Sequence, residues 1–290
     1  MKNLKALALT MTLMTTAKTM AFDQAKAIKN CERIYYTYNA CGKEFTVKGD
    51  SFYFAKTNAY VRCTDGQDLK FYDRMNNMDM ASILMIPYET GEISFPEKRL
   101  NNDPGRLRSE DMLKTVFGDS EEAVRKNLVP ITFLGHQMKF QKKLGAAKAL
   151  QNVSDQIEAA MKSDPTISEF LKDFLSKKVK PGTFNWRLIA GTNRLSTHSF
   201  GLSIDLVVPQ IKAQYWLWDE KARNPELAKQ GEVAYENIHY ISQKTPNFHP
   251  TVVKIFESNG FIWGGKWNHY DTMHFEYRPE FFPGYKINCN

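Results

Sequence analysis

The sequence predicts a protein that combines helices with short β-strands over 290 residues. Apolar residues recur at helical spacing in the stretches 150–161 and 167–174. By contrast, apolar and polar residues alternate over 202–207, which is the period of a half-buried strand. Three of the four cysteines lie before residue 64 and mark a separate N-terminal region. We therefore expect an N-terminal extension, residues 22–124, followed by a main domain, residues 125–290.

The first 21 residues have the pattern of an export signal. Lys2 and Lys5 precede an uncharged run of about 12 residues, and Ala21 is a small residue at which a signal peptidase could cut. The run is shorter than the roughly 20 residues of a membrane-spanning helix, and no later stretch is longer. An N-terminal amphipathic helix is the alternative, and the absence of acidic residues before Asp23 disfavours it. We expect an exported, periplasmic or extracellular protein without a transmembrane segment.

The cysteines Cys31, Cys41, Cys63 and Cys289 are even in number, which in an exported protein favours two disulfides. Three pairings are possible, and a bridge from Cys289 to the N-terminal region would join the last residues to the first. No CxxC spacing occurs, so the sequence does not predict that the cysteines bind a metal.

The formal net charge of +7 is modest, and the predicted signal contains three of the lysines. Basic residues are dispersed, and the densest cluster is KKVK at 177–180. A nucleic-acid-binding protein is therefore not predicted. A mildly basic exported protein suits an anionic polymer such as a bacterial cell wall.

The N-terminal extension shows two kinds of pattern. Residues 22–75 contain the aromatic runs RIYYTY and SFYFA, which predict a small, disulfide-linked and β-rich unit. Residues 76–108 contain scattered proline and glycine, which predict a segment that wraps around the main domain without regular structure.

Helix and strand signals follow. Ser109 is a typical N-cap before an apolar stripe that ends at Gly118, so a short helix is predicted there. The run LVPITFL predicts a strand near Val129, and longer helices are predicted beyond Lys143 and from Pro165.

The motif SxHxxGxSxD, from Ser196 to Asp205, carries the first chemical signal. Asp205 lies in the alternating stretch and projects opposite Ile204, whereas Gly201 can form a tight turn that returns His198 toward the carboxylate. One metal ion could contact both side chains, and Ser196 could cap the turn or bond a ligand. The alternative is a structural hydrogen bond between the histidine and the aspartate.

The segment WGGKWNHYDTMHFEYRPE supplies the second signal. His274 lies in a predicted strand, Glu276 shares its face, and Asp271 precedes it by three residues. His269 and His274 are both candidate ligands. Two imidazoles together with Asp205 would satisfy a catalytic zinc ion that keeps its fourth position for water.

The paired patterns SxHxxGxSxD and DxxHFE resemble those of the M15 family of zinc peptidases. This family comprises D-alanyl-D-alanine carboxypeptidases and the L-alanyl-D-glutamate endopeptidases of phage endolysins. Ser203 stands where the family usually has alanine. The resemblance extends more loosely over residues 125–290, and DPGR at 103–106 resembles bacterial relatives with the same extension. It implies an α+β fold of the hedgehog/DD-peptidase type, with a small antiparallel sheet flanked by helices.

The resemblance also implies roles for individual residues. It makes His198, Asp205 and His274 the ligands of one zinc ion and Asp271 the general base. Arg187, in GTFNWR, matches an arginine that in relatives faces the substrate carbonyl or carboxylate, with a surface cation as the alternative.

Two roles remain open for Glu276, which would orient His274 or bind a substrate amine. The aromatic residues Tyr215, Trp216 and Trp218 would line a groove for sugar or peptide, or belong to the core. The expected activity is hydrolysis of peptidoglycan stem peptides, by a carboxypeptidase or an endopeptidase. The alternative is a zinc-stabilised binding module without turnover.

Overall fold

The computed structural model describes residues 23–91, 102–189, 192–208, 214–226, 229 and 248–289. The predicted export signal, residues 1–21, lies outside these described residues.

Helices and small antiparallel sheets alternate along the described chain, which confirms the predicted mixture of helices and strands. The helices are α1 (Gln24–Tyr38), α2 (Phe71–Asn76), α3 (Glu110–Phe117), α4 (Glu121–Arg125), α5 (Ala146–Ser163), α6 (Pro165–Phe170), α7 (Lys172–Leu175), α8 (Trp216–Arg223) and α9 (Pro250–Ser258). The strands are β1 (Thr46–Lys48), β2 (Ser51–Phe54), β3 (Ala59–Arg62), β4 (Leu128–Phe133), β5 (His136–Gln141), β6 (Ser203–Asp205), β7 (Phe261–Trp263) and β8 (His274–Tyr277). Strands β1 to β3 form one sheet, β4 and β5 a hairpin, and β6, β8 and β7, in that order, a third sheet.

The run RIYYTY does not form a strand, so that part of the β-rich prediction is wrong. It is the C-terminal half of α1, which begins where the Asp23 side chain accepts a hydrogen bond from the Lys26 amide. The buried residues of α1 recur at helical spacing, and they include Ala27, Cys31, Ile34 and Tyr38. Burial of this face along the whole helix outweighs the β propensity of a short aromatic run. The run SFYFA does contain a strand, β2.

The helix starts predicted at Ser109 and at Pro165 are confirmed. The Ser109 hydroxyl accepts a hydrogen bond from the Met112 amide and caps α3, and Gly118 ends the helix with a φ of 138°. The helix predicted from Pro165 is interrupted at Leu171, which separates α6 from α7. The strand near Val129 is β4.

Two disulfides join Cys31 to Cys63 and Cys41 to Cys289. The prediction of two bridges is confirmed, and the second bridge links the C-terminal residues to the N-terminal region.

The extension contacts the main domain through buried hydrogen bonds. The Tyr38 hydroxyl donates to Glu280, and the Tyr88 hydroxyl donates to Glu257 at 2.6 Å. The apolar core also contains residues from both sides of position 124. The boundary at that position stays a prediction.

Strand β8 is the centre of the third sheet, and all four of its residues are buried. Phe275 stacks on Phe256 of α9, with the ring centroids 4.0 Å apart. Because side chains alternate along a strand, this apolar contact directs His274 and Glu276 to the opposite face. The sheet therefore presents one apolar face to the core and one polar face.

No helix within the described ranges is long and apolar enough to cross a membrane.

Candidate metal centre and its cavity

The register of the third sheet brings Asp205 beside His274. These residues are direct partners in the antiparallel β6–β8 pair, and Ser203 is the partner of Glu276. Side chains at paired positions point to the same face, so the carboxylate and the imidazole meet on the polar face of the sheet.

A tight turn brings His198 to the same place. Residues Thr197–Phe200 form one turn of 3-10 helix, and the Ser196 hydroxyl caps it by accepting a hydrogen bond from the His198 amide. Gly201 ends the turn at a φ of 67°, and a Cβ atom there would lie 2.5 Å from Leu128 Cδ2. Only glycine fits both the backbone angle and the space. The predicted turn at Gly201 is thus present.

Three atoms that could each bind a metal ion form a nearly equilateral triangle. His198 Nε2 lies 3.2 Å from Asp205 Oδ1 and 3.2 Å from His274 Nδ1, and His274 Nδ1 lies 3.1 Å from Asp205 Oδ1. Tetrahedral zinc with bonds near 2.0–2.1 Å requires donor separations of about 3.3 Å. The triangle therefore has the size of three corners of a tetrahedral zinc site.

The outer nitrogens of both imidazoles are already bonded. His198 Nδ1 donates to the Thr183 carbonyl, and His274 Nε2 lies 3.2 Å from Glu276 Oε2. Because a carbonyl and a carboxylate only accept, a neutral imidazole keeps its proton on that side. The inner nitrogens then present lone pairs toward the Asp205 carboxylate, and three converging lone pairs require a cation or a proton between them. The donor set fits a divalent metal ion.

Glu276 is held by further bonds. Its Oε2 accepts from the Thr197 hydroxyl at 3.0 Å, and its Oε1 accepts from Arg278 Nη1 at 2.8 Å. Of its two predicted roles, the contacts correspond to orientation of His274.

The charges of the metal-free triad hold a proton. Burial lowers the pKa of His274, but its hydrogen bonds to Asp205 and Glu276 outweigh burial and raise that pKa to about 10. Burial raises the pKa of Asp205, but the His198 charge and the bonds to both histidines hold it well below its usual range. A bound metal ion would displace this proton.

Asp271 lines the same cavity as Asp205 and His274. Its amide donates to the Gly264 carbonyl at 3.0 Å, and a Cβ atom on Gly264 would lie 2.6 Å from the Asp271 carbonyl oxygen. Its Oδ1 atom is buried without a hydrogen-bond partner among the described residues. Burial raises the pKa of Asp271 to about 7, although the charge of His274 acts in the opposite direction. A carboxyl group with such a pKa is suited to accept and return a proton near neutral pH.

The cavity has a volume of about 360 Å³. It is lined by Arg106, Arg108, Arg187, Ile189, Arg194, Ser196, Thr197, Asp205, Tyr215, Trp216, Trp218, Trp267, His269, Asp271, Met273, His274 and Glu276. Of the aromatic residues proposed from sequence, Trp216 is buried against Tyr270, whereas Trp218 is 57% exposed. Tyr215, Trp216 and Trp218 all line the cavity.

Arg187 also lines the cavity, and its side chain is exposed. Its backbone is fixed because its amide donates to the Ser199 hydroxyl at 2.9 Å, and its carbonyl accepts from the Ser196 amide. The guanidinium therefore projects from an anchored backbone.

His269, the other candidate ligand, is not part of the triad. Its Nδ1 lies 2.7 Å from Asp103 Oδ2, and its Nε2 lies 3.4 Å from the Tyr72 hydroxyl. Both partners come from the N-terminal extension. His269 thus connects the extension to the cavity wall.

The cavity residues that were given no role from sequence include three arginines, Arg106, Arg108 and Arg194. The resemblance of DPGR to extended relatives was a signal for Arg106, although it carried no role. Arg194 precedes His198 by only four residues, but nothing in the local pattern distinguishes it from a surface arginine.

Residues 190–277 match a family model described as D-alanyl-D-alanine carboxypeptidase, of the M15 peptidases. The matched segment contains the three triad residues and Asp271, whereas Arg187 and the extension lie outside it. Searches of curated proteins and of solved structures found no match.

Proposed function

We propose that this chain is an exported, zinc-dependent peptidase that cleaves the stem peptides of peptidoglycan, because residues 190–277 match a family model of the M15 peptidases. The proposal includes an α+β fold of the hedgehog/DD-peptidase type for residues 125–290. The observation that carries it is the triangle of His198, Asp205 and His274 beside Asp271, whose Oδ1 atom has no hydrogen-bond partner among the described residues.

Three protein ligands would leave one coordination position of a bound metal ion open for water or substrate. A structural zinc site has four protein ligands, whereas a catalytic site has three and an open position. The described residues supply three metal-binding atoms, and two of these residues, Asp205 and His274, line the cavity. Zinc in this position would supply Lewis-acid chemistry, by polarising a peptide carbonyl and lowering the pKa of water.

Asp271 carries a proton from the attacking water to the amine that leaves. Its Oδ1 atom is buried and has no hydrogen-bond partner in the described part of the chain, so it can accept a proton from the attacking water without first breaking another hydrogen bond. It then returns this proton to the amine that leaves. Arg187 donates hydrogen bonds to the carbonyl oxygen as negative charge develops there, a contribution of about 3 kcal/mol in comparable sites.

The location follows from the disulfides and the first residues. Disulfides form in oxidising compartments, and the chain has two. The sequence of residues 1–21 supports export to the same compartment. The peptides of a bacterial cell wall are substrates available there.

The test is digestion of purified muropeptides by the zinc-loaded protein, followed by mass spectrometry. We expect loss of one terminal alanine from a carboxypeptidase, or release of a longer peptide from an endopeptidase. Asp271→Asn should reduce the rate by about 100-fold to 10,000-fold while zinc remains bound.

The matched control is Asp155→Asn, an exposed aspartate on α5, which should leave the rate unchanged. Wild-type protein that binds zinc and cell walls but releases no fragment would instead support the zinc-stabilised binding module.

A further inference from the structure

Three arginines form one side of the cavity, and we call Arg106, Arg108 and Arg194 the arginine wall. Two of them come from the N-terminal extension, and the third lies in the loop before His198. The wall and two residues of the triad, Asp205 and His274, line the same cavity of about 360 Å³.

Hydrogen bonds join the segment that contains Arg106 and Arg108 to the segment that contains Arg194, and they hold the arginine wall in place. Arg108 Nη2 donates to the Leu195 carbonyl at 3.1 Å, and Arg194 Nη1 donates to the Arg106 carbonyl at 2.9 Å. Each segment thus supplies an arginine to the backbone of the other. Arg108 Nη1 also donates to the Gly105 carbonyl at 2.8 Å.

Trp267 connects the wall to the metal centre. A Cβ atom on Gly105 would lie 2.2 Å from the Trp267 ring, so the segment packs directly on this side chain. The opposite contact of Trp267 is with His274, and the ring centroids are 5.7 Å apart. The wall therefore has a fixed position relative to the metal ligands.

Within the wall, Arg194 has a donor that the described residues leave without a partner. Arg194 Nη2 is buried and has no hydrogen-bond partner among the described residues. Burial, followed by the charges of Arg108 and Arg106, lowers the pKa of Arg194 to about 9. Glu110 acts in the opposite direction, but it is engaged by Lys114 at 2.7 Å and by the Leu195 amide.

Arg278 shows how this fold compensates a buried arginine. It is 1% exposed, and its guanidinium bonds to two carboxylates, those of Glu276 and Glu280. It also donates to the Leu107 carbonyl at 3.1 Å. A buried guanidinium nitrogen without a hydrogen-bond partner is costly, and an anion bound at Arg194 Nη2 would remove this cost.

We propose that Arg194 and Arg108, together with Arg106, bind a carboxylate of the peptide substrate. This inference rests on the proposed function. Guanidinium groups suit carboxylates because their planar N–H donors match the two oxygens. The carboxylate has two possible sources, the free C-terminus one residue beyond the scissile bond or an acidic group within the peptide. One extended residue spans about 3.5 Å, so a cavity of this size accommodates both the scissile carbonyl and the C-terminal group.

Binding is measured by calorimetry on the zinc-loaded full chain carrying Asp271→Asn, which prevents turnover. The first ligand pair is an acylated D-alanyl-D-alanine as the free acid and as the C-terminal amide. The second pair is a C-terminally amidated stem peptide with an internal glutamate or glutamine. We expect one acid to bind about 10-fold to 100-fold more tightly than its neutral partner. The pair that shows this preference identifies the source of the carboxylate.

Arg194→Met in the same background should reduce the preference to within about 3-fold and leave the affinity for the neutral ligand unchanged. Arg62→Met is the matched control, because Arg62 is an exposed arginine on β3, and it should keep the preference. If Arg194→Met does not fold, the dependence of acid and amide binding on salt in the Asp271→Asn background replaces it, and only acid binding should weaken.

Equal affinity for acid and neutral ligand in both pairs overturns the inference. This outcome is distinct from failure of the proposed function, which is absence of cleavage by the wild type. A preference for acid without any cleavage would support the subsite and contradict the peptidase.

Discussion

His269 and His274 lie five residues apart, and both are buried against carboxylates, yet their surroundings differ in one respect. The two ring nitrogens of His269 contact Asp103 and Tyr72, on opposite sides of the ring. His274 has one partner on its outer side, Glu276, but its inner nitrogen faces two other donors at 3.1–3.2 Å.

The difference shows what distinguishes a structural histidine from a candidate ligand. A linear chain of partners satisfies an imidazole, and no further group is needed. Three lone pairs that converge on one point are satisfied only by a cation or a proton. Burial and a nearby carboxylate alone do not separate the two cases.

Removal of each imidazole should produce the largest contrast. His274→Ala removes a proposed zinc ligand, so we expect loss of stoichiometric zinc and a decrease in hydrolysis of more than about 1,000-fold. His269→Asn should retain zinc, and the loss of its bond to Asp103 should lower the free energy of unfolding by about 1–3 kcal/mol. Metal analysis after dialysis and thermal unfolding measure the two effects. Full zinc occupancy in His274→Ala would show that the triad is not the metal site.

The two carboxylates that hold these histidines give a finer contrast. Glu276→Gln weakens the acceptor that orients His274, and we expect zinc affinity to fall by about 10-fold to 100-fold. Asp103→Asn makes the equivalent change at His269 and should leave zinc affinity unchanged. Competition with a zinc chelator measures both values. An equal fall in the two variants would contradict the distinction drawn between the histidines.

The two histidines should also respond to pH in opposite ways in the metal-free protein. The folded pKa of His274 is about 10, above the ordinary value of 6.5, so its protonation stabilises the fold at pH below 6.5. That contribution is lost as the pH rises through about 10.

Burial lowers the pKa of His269, so the folded protein favours the neutral imidazole. Acid therefore destabilises the fold as the pH falls below 6.5. NMR titration of the ring protons should therefore show His274 charged and His269 neutral at pH 7. Added zinc should release one proton, which calorimetry in two buffers detects. If His274 titrated near 6.5, its bonds to Asp205 and Glu276 would be absent in solution.

Sequence predicted that His198 and Asp205 lie together because their geometry is local, whereas His274 lies 69 residues beyond Asp205. The separation of His198 from Asp205 is one turn and one strand, and His274 joins them through a single strand pair. The local sequence pattern could not show which of His269 and His274 is the ligand, because Asp103, which bonds to His269, lies 166 residues away in the chain. The M15 resemblance made this choice.

The remaining parts depend on long-range packing. Aromatic residues in RIYYTY favour strands locally, and only the core shows that they belong to one face of α1. The arginine wall joins segments 88 residues apart, through the bond from Arg194 to the Arg106 carbonyl. A periodic pattern carries no information about such a contact.

The bridge between Cys41 and Cys289 makes a covalent ring of nearly the whole chain. Both the arginine wall and the metal centre lie within this ring. A single cut by another protease in any loop between the two cysteines would open the ring but release no fragment. The ring also limits the freedom of the unfolded chain, by about 5 kcal/mol in the chain-entropy account of disulfides. A nicked molecule would therefore keep its two segments together and retain the means to reassemble its cavity.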